Sequence, residues 1–597
     1  MLYPKMNAAR TVSDLGGFWN FEIEKNGEKI DVDKPLPNPI TMAVPASFND
    51  QVIDDEIRNH DGYFWYETTF NISALQKTQR NVMRFGSATH EAQVYINGKE
   101  VAQHTGGFTP FEFEIDDYIK VGENNLKVRL CNLLSNKTLP GGETTKKANG
   151  EYETTGYFDF YNYAGIHRPV KIYTTSPQAH IDEIVVKYDT SLKETTVKPE
   201  IEISGNYDNI SLEIIDQDGK MVENSRSEKL ADAEPLVISD THLWNVGNAY
   251  MYQLKVSIWD ENNQLIDTYT QDFGVRTVEI KDCKILVNGE PVYLKGFGRH
   301  EDFQIIGKGM NRAVINHDHQ VLKWIGANAF RSSHYPYSEE EMQMADKDGI
   351  MVIDEVPAVG IYSDFQNVMA GGETQINTWK NMKTMPAHKQ VIQETITRDQ
   401  NHPSVIMWSV ANEAATQQDR AHEYFKEITD FTREHDWQKL PLIAPKILVS
   451  TPDVDKVTDL FDVIGLNRYY GWYVDFNDLN KAKDDLRNEI KEWHKLYPDK
   501  PLVFTEFGAD TMSGMHSMHR EPYSEEYQVD YYKANFEVFD EFDCVMGELL
   551  WNFADFATPA GLIRVNGNRK GVFTRDREPK AIAYVLQKRW NQIEEEK

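Results

Sequence analysis

The chain has 597 residues, of which 40% are hydrophobic, 26% charged and 12% aromatic, a globular profile with room for several domains. Its 63 Lys and Arg against 94 Asp and Glu leave a formal charge of −31, which argues against nucleic acid or an anionic membrane surface as a partner, because both need clustered cations. A small anionic ligand stays open, since a pocket can be locally positive inside a negative molecule.

Residues 1–177 read as short strands divided by turns: GFWNFEIE, YFWYETTFNI, NVMRFG, AQVYING and NNLKVRLCN. Aromatic and β-branched residues alternate with polar ones, as a two-sheet sandwich requires, and a jelly-roll is expected. Asn97-Gly98 marks a tight hairpin. Residues 178–275 carry a second β-rich stretch, IDEIVVKY, KPEIEIS, ISLEIID and YMYQLKVSIWD, whose length and strand spacing fit an immunoglobulin-like β-sandwich.

From 276 to 597 the pattern changes. Eight apolar runs alternate with helical stretches: YLKGFG, ANAFRSSH, MVIDEVP, VIMWSVANE, LPLIAP, FDVIGLN, PLVFTEFG and GELLWNF. That is the sequence of a (β/α)8 TIM barrel. His317-Asp318-His319 is expected to open a barrel helix rather than hold a metal, because residues two apart diverge on a helix. The three cysteines, Cys131, Cys283 and Cys544, are far apart with no CxxC pair, so neither a zinc site nor a disulfide framework is expected. No stretch of about 18 apolar residues occurs, so no membrane span is expected. The first residues, MLYPKMNAARTVSDL, lack a signal-peptide core. A cytoplasmic protein is the expectation.

Barrel chemistry sits at the C-terminal ends of strands. Those ends carry Arg299, Arg331, His334, Glu355, Asn412, Glu413, Asn467, Tyr469, Glu506 and Trp551. Acids directly after apolar runs are costly unless paired or used. Glu413 and Glu506, closing the fourth and seventh runs, could face each other across the barrel mouth. Two opposed carboxylates suit glycosidic bond cleavage, one protonated and one ionised.

HPSVIMWSVANE and FTEFG resemble the acid/base and nucleophile signatures of glycoside hydrolase family 2. GFGRHED, FRSSHYPY, IDEVP, LNRYYGWY and WNFADF match as well, and DFYNYAGIHRPV resembles the family's sugar-binding signature. RVNGNRKGVFTRDREPK narrows the resemblance to the β-glucuronidases, particularly the bacterial ones. It covers essentially the whole chain and its jelly-roll, immunoglobulin-like and barrel order.

The resemblance implies a retaining exo-β-D-glucuronidase with Glu413 as acid/base and Glu506 as nucleophile, their carboxyls about 5–5.5 Å apart. Arg331 is expected to orient Glu506, and Asn412 to hold the sugar 2-hydroxyl. Lys570 and Asn568, joined by Arg564, are expected to clamp the substrate carboxylate. Asp159, His334, Asn467, Tyr469, Tyr473 and Trp551 are further implied sugar contacts. No cofactor and no metal are implied, the substrate is a small-molecule β-D-glucuronide, and a homo-oligomer, dimer or tetramer, is expected.

The family usually has Pro after the acid/base, where this chain has Ala414. The loop from about 359 to 385, with Tyr362, Phe365, Val368, Met369 and Gly371-Gly372, is either a candidate lid or aglycone surface with exposed apolar side chains or a loop packed on the neighbouring barrel surface. A β-galacturonidase, or a β-galactosidase or β-mannosidase of the same family, stays an alternative. A non-catalytic carbohydrate-binding protein is the remote one.

Overall fold

The computed structural model describes residues 1–25, 30–363, 365, 376–561 and 563–595. In the N-terminal part, a six-stranded and a four-stranded antiparallel sheet face each other. The strand Tyr63–Ile72 pairs along its whole length with Gly122–Cys131. Alternation divides their side chains: Phe64, Tyr66, Phe70, Leu126, Val128 and Leu130 enter the sandwich core. Trp65 and Arg129 lie on the other face, where both bond Glu24. Each buried Phe or Leu here stabilises the fold by roughly 1.5–3 kcal/mol. Asn97 and Gly98 both have positive φ, 50° and 82°, the geometry of a two-residue primed turn.

The middle part is also two-layered in its patterning. Along Asn209–Ile215, Ile210, Leu212 and Ile214 point inward against Leu254, Val256 and Ile258 of the strand Tyr252–Trp259. It is tied to the N-terminal segment by Arg10, whose guanidinium bonds the buried Asp267 carboxylate at 2.9 and 2.5 Å. The Trp244 indole donates to the Asp346 carbonyl at 2.8 Å and anchors it on the barrel.

The barrel strands are β1 Leu294–Gly298, β2 Ala329–Arg331, β3 Met351–Glu355, β4 Val405–Ser409, β5 Leu442–Ile443, β6 Ile464–Asn467, β7 Leu502–Glu506 and β8 Val545–Leu550. All pairings are parallel, in the order β5-β4-β3-β2-β1-β8-β7-β6, and a parallel bridge from Lys446 to Leu466 nearly closes the ring. Each of the eight apolar runs supplies one strand. The run LPLIAP yields only two strand residues, because Pro441 and Pro445 flank them and cannot donate to the ladder.

Helices surround the ring, among them α1 Arg312–Ile325, α2 Glu339–Asp348, α3 Met385–Asp399, α4 Ala421–His435, α5 Leu479–Leu496, α6 Glu525–Phe539 and α7 Ala581–Glu595. Asn311 caps α1 through its side chain, and Gly326 ends it in the left-handed conformation. His317-Asp318-His319 lies inside α1 rather than at its start. His319 is buried between Glu341 at 3.0 Å and Asp348 at 2.9 Å, and Asp318 accepts from Arg299 and Arg577. These are structural ion pairs that join α1 to α2 and to the segment before α7.

Candidate active site

Glu506 is the last residue of β7 and is 4% exposed. Its backbone carbonyl accepts from Arg468, and a bulge between Leu466 and Asn467 in the adjacent β6 re-aims the side chains at that rim. Arg331, fully buried at the end of β2, donates to Glu506 Oε1 at 2.6 Å. Tyr469 donates its hydroxyl to Oε2 at 2.7 Å. Both carboxylate oxygens are thereby held by protein donors.

Glu413 follows β4 and is fixed by its backbone: its N–H bonds the Pro445 carbonyl at 2.9 Å, while Asn412 N–H bonds Ala358 at 3.1 Å. Its φ is 51°, in the left-handed region. A proline at the next position would push Glu413 toward extended backbone, and Ala414 imposes no such restriction. The Glu413 carboxyl lines the cleft and accepts from Asn467 Nδ2 at 3.0 Å. Burial pushes this carboxyl up, the adjacent Glu506 carboxylate adds to the rise, and the Asn467 donor offsets only part of it, leaving it at about 8. A carboxyl protonated at neutral pH beside a carboxylate held by a guanidinium can deliver a proton and a nucleophile to the same bond.

Arg331 also donates to Glu355 at 2.7 Å and to Asn412 at 3.3 Å. Glu355 bonds His334 Nδ1 at 2.7 Å and accepts from Ser409 at 2.6 Å. Burial would push Glu355 up, but Arg331 and His334 outweigh it and hold it below the usual carboxylate range. His334 stacks on Trp551, ring centroids 5.1 Å apart. Glu355, read from the sequence only as a polar strand end, is thus the hub between Arg331 and His334. Arg299 goes elsewhere, to Glu341 and Asp318.

A second group of charges closes the cleft. Arg564 bonds Asp159 at 2.6 Å and Tyr473 at 2.8 Å, and Lys570 bonds Tyr473 at 2.8 Å and Asp510 at 2.5 Å. Asn568 donates to Asp159 at 3.2 Å, and its own side-chain oxygen accepts from the Lys570 N–H at 3.1 Å. Lys570 and Asn568 are almost fully buried. Asp510 was not singled out in the sequence. It follows β7 in FGAD, and the only available signal was an acid four residues after Glu506. Burial opposes its charge, but Lys570 and Arg564 outweigh this and hold its carboxyl below the usual range. Two cations therefore face two aspartates.

The cleft is lined by Phe158, Asp159, His334, Asn412, Glu413, Tyr469, Tyr473, Glu506, Trp551, Arg564 and Asn568, with the Lys570 ammonium 4.7 Å from the Tyr473 ring centre. A wider groove of about 690 Å³ opens beside it, between the first domain and a wall that includes Ala557, Gly561, Arg564 and Gly567, and neither glutamate lines it. Three profiles match this chain: the sugar-binding domain of glycosyl hydrolases family 2 at residues 12–176, glycosyl hydrolases family 2 at 175–276, and the family's TIM barrel domain at 278–595.

The chain belongs to glycosyl hydrolases family 2.

Among its family 2 relatives are a β-glucuronidase of Streptococcus agalactiae, 42% identical over 99% of this chain and 98% of that one, and a β-glucuronidase of Paenibacillus borealis, 42% identical over 100% and 99%. A solved β-glucuronidase from Ruminococcus gnavus in complex with D-glucuronic acid superposes with a TM-score of 0.91 at 41% identity, covering 99% of each chain. Of the two readings of the 359–385 loop, the described residues Val359, Tyr362 and Phe365 follow the packed one: they are buried in the barrel's apolar cluster rather than exposed. Val359 and Phe365 line the cleft wall near Glu413. Val368, Met369 and Gly371-Gly372 lie outside the described residues.

Proposed function

We infer that this protein is a retaining exo-β-D-glucuronidase that cleaves β-D-glucuronides to glucuronic acid and an alcohol. The observation that carries the reading is the placement of buried Arg564 and Asn568 in the same cleft as Glu413 and Glu506, with the buried Lys570 bonded to the cleft residue Tyr473 at 2.8 Å. A glucuronide differs from a glucoside by its C6 carboxylate, which needs fixed cations and donors in a confined space. In this reading Glu506 attacks the anomeric carbon while Glu413 protonates the departing oxygen. The glycosyl ester leaves Glu413 deprotonated and removes the neighbouring negative charge, so Glu413 then takes a proton from the incoming water. Arg331 and Tyr469 orient Glu506. Asn412, Asn467, His334, Tyr473, Trp551 and Asp159 contact the sugar. No cofactor is needed, because the two glutamates supply both proton transfer and nucleophile.

A paired comparison of the glucuronide, galacturonide, glucoside and galactoside of one chromogenic phenol tests the substrate. The glucuronide should exceed the glucoside in kcat/KM by about 100-fold or more, since only it uses the buried cations. A galacturonide rate equal to or above the glucuronide rate would favour the alternative enzyme class, which differs only in the C4 hydroxyl it accepts.

The pH profile tests the proton donor. Glu413 carries its proton below about 8, so kcat/KM should be maintained up to that pH and fall about tenfold per unit above it. A basic limb that begins near the ordinary carboxylate value would contradict the assignment. The same reading holds a cytoplasmic location and a homodimeric or homotetrameric assembly. Three buried, unpaired cysteines are compatible with a reducing compartment.

A further inference from the structure

The opposite end of the barrel carries an unassigned donor set. Cys283, Cys544 and His494 each present one ligand atom, and these atoms lie within 4.8 Å of one another. Cys544 immediately precedes β8, at the N-terminal rim, and accepts the Leu502 N–H through its carbonyl. His494 sits in the last turns of α5, beside the fully buried Trp493. Cys283 occupies the turn of a hairpin whose strands, Val278–Lys281 and Lys284–Val287, pair under the barrel.

Three elements far apart in sequence therefore converge on one point. The two thiols are buried and the imidazole is exposed, so the cluster has an apolar floor and a solvent-facing entrance.

The turn gives a second reason to assign the cluster a role. Asp282 and Cys283 have φ values of 50° and 61°, the paired left-handed geometry of a primed two-residue turn. The second position of such a turn is one that Gly or Asn fills with least strain, and a cysteine there is conformationally disfavoured. The side chain that occupies it points its sulfur at Cys544 and at the Lys500 carbonyl, 3.2 Å away. Lys284, the nearest cation, is engaged with the Asp543 carbonyl at 2.6 Å.

We propose that Cys283, Cys544 and His494 form a binding site for a thiophilic divalent cation, with zinc the best fit, at the end of the barrel remote from the glutamates. Two thiolates and one imidazole match zinc's preferred donors, and water or the Lys500 carbonyl can take the fourth position. Tetrahedral coordination with zinc–sulfur bonds of about 2.3 Å needs the sulfurs about 3.8 Å apart, a contraction of about 1 Å or less that side-chain rotation supplies. Binding would displace both thiol protons and pin the hairpin to the start of β8 and to α5.

The test is a titration of the full-length, reduced and chelator-treated protein with Co2+. The expected result is a near-ultraviolet sulfur-to-cobalt charge-transfer band that saturates at one equivalent per chain and is displaced by Zn2+. Cys283→Ser and Cys544→Ser should each abolish the band, Cys131→Ser should keep it, and His494→Ala should raise the half-saturating concentration by roughly tenfold or more. Hydrolysis of a chromogenic substrate at the other barrel end should be unchanged in Cys544→Ser and reports that the variant is folded. Absence of a saturable band, or a band that persists in both serine variants, overturns the proposal. So does finding that Cys283 and Cys544 form a disulfide whose reduction yields no cobalt uptake.

Discussion

Replacing Glu506 with Gln is expected to lower kcat for an aryl β-D-glucuronide by at least about ten-thousand-fold, with far-ultraviolet circular dichroism unchanged. The amide keeps the shape of the side chain: its oxygen can accept from Arg331 and its NH2 can donate to the Tyr469 hydroxyl, groups that lie 2.6 and 2.7 Å from the two oxygens of Glu506. It cannot form the glycosyl ester. Arg331 retains Glu355 at 2.7 Å, so its buried guanidinium is not left without a counter-charge. The same exchange at Glu413 should be told apart by the leaving group. A nitrophenol departs with little protonation and should lose far less than an alkyl aglycone, because only the latter depends on the proton of Glu413. Turnover by the Glu506 variant within tenfold of the parent would sink the assigned nucleophile.

Lys570→Ala is expected to reduce kcat/KM for the glucuronide by about 100-fold or more, while the glucoside is unchanged or improved. Truncating one partner of a buried, charge-assisted pair costs roughly 2–5 kcal/mol, much of it from the charge left unpaired. In this protein that charge would be the substrate carboxylate. The variant also strands Asp510, whose remaining cation is Arg564 at 3.5 Å. A drop in Tm is therefore expected, and the double variant Lys570→Ala, Asp510→Asn should recover much of it without restoring glucuronide turnover. Equal losses on glucuronide and glucoside would mean that Lys570 acts on the fold alone.

The barrel was legible because its strands are buried on both faces, which makes continuous apolar runs, and because each run stops abruptly at a polar group. β4 into Asn412-Glu413 and β7 into Glu506 are the clearest cases. Leu442–Ile443 was harder, since the flanking prolines shorten the strand but not the hydrophobicity. The parts of the cleft that escaped the sequence have no periodicity to announce them. Asp510 lies in a loop, and Glu355 is meaningful only once β2 and β3 bring it against Arg331. Cys283 and Cys544 read as scattered, because proximity across a closed barrel is a property of the ring and not of spacing along the chain. For Tyr362 and Phe365 the sequence left exposure and packing both open, because a loop's apolar residues decide between them only once the wall beside them is known.

The bond from Asp159 to Arg564 has a consequence for cooperativity. Asp159 comes from the first domain, and it holds in place a guanidinium that belongs to the barrel. A barrel cut free of that domain would still carry both glutamates, but Arg564 would lose its Asp159 anchor. If Arg564 holds the substrate carboxylate as proposed, docking of the sandwich and recognition of the substrate are energetically coupled. On that reading, hydrolysis of a charged substrate is expected to be lost at a lower denaturant concentration than the barrel's own circular dichroism signal.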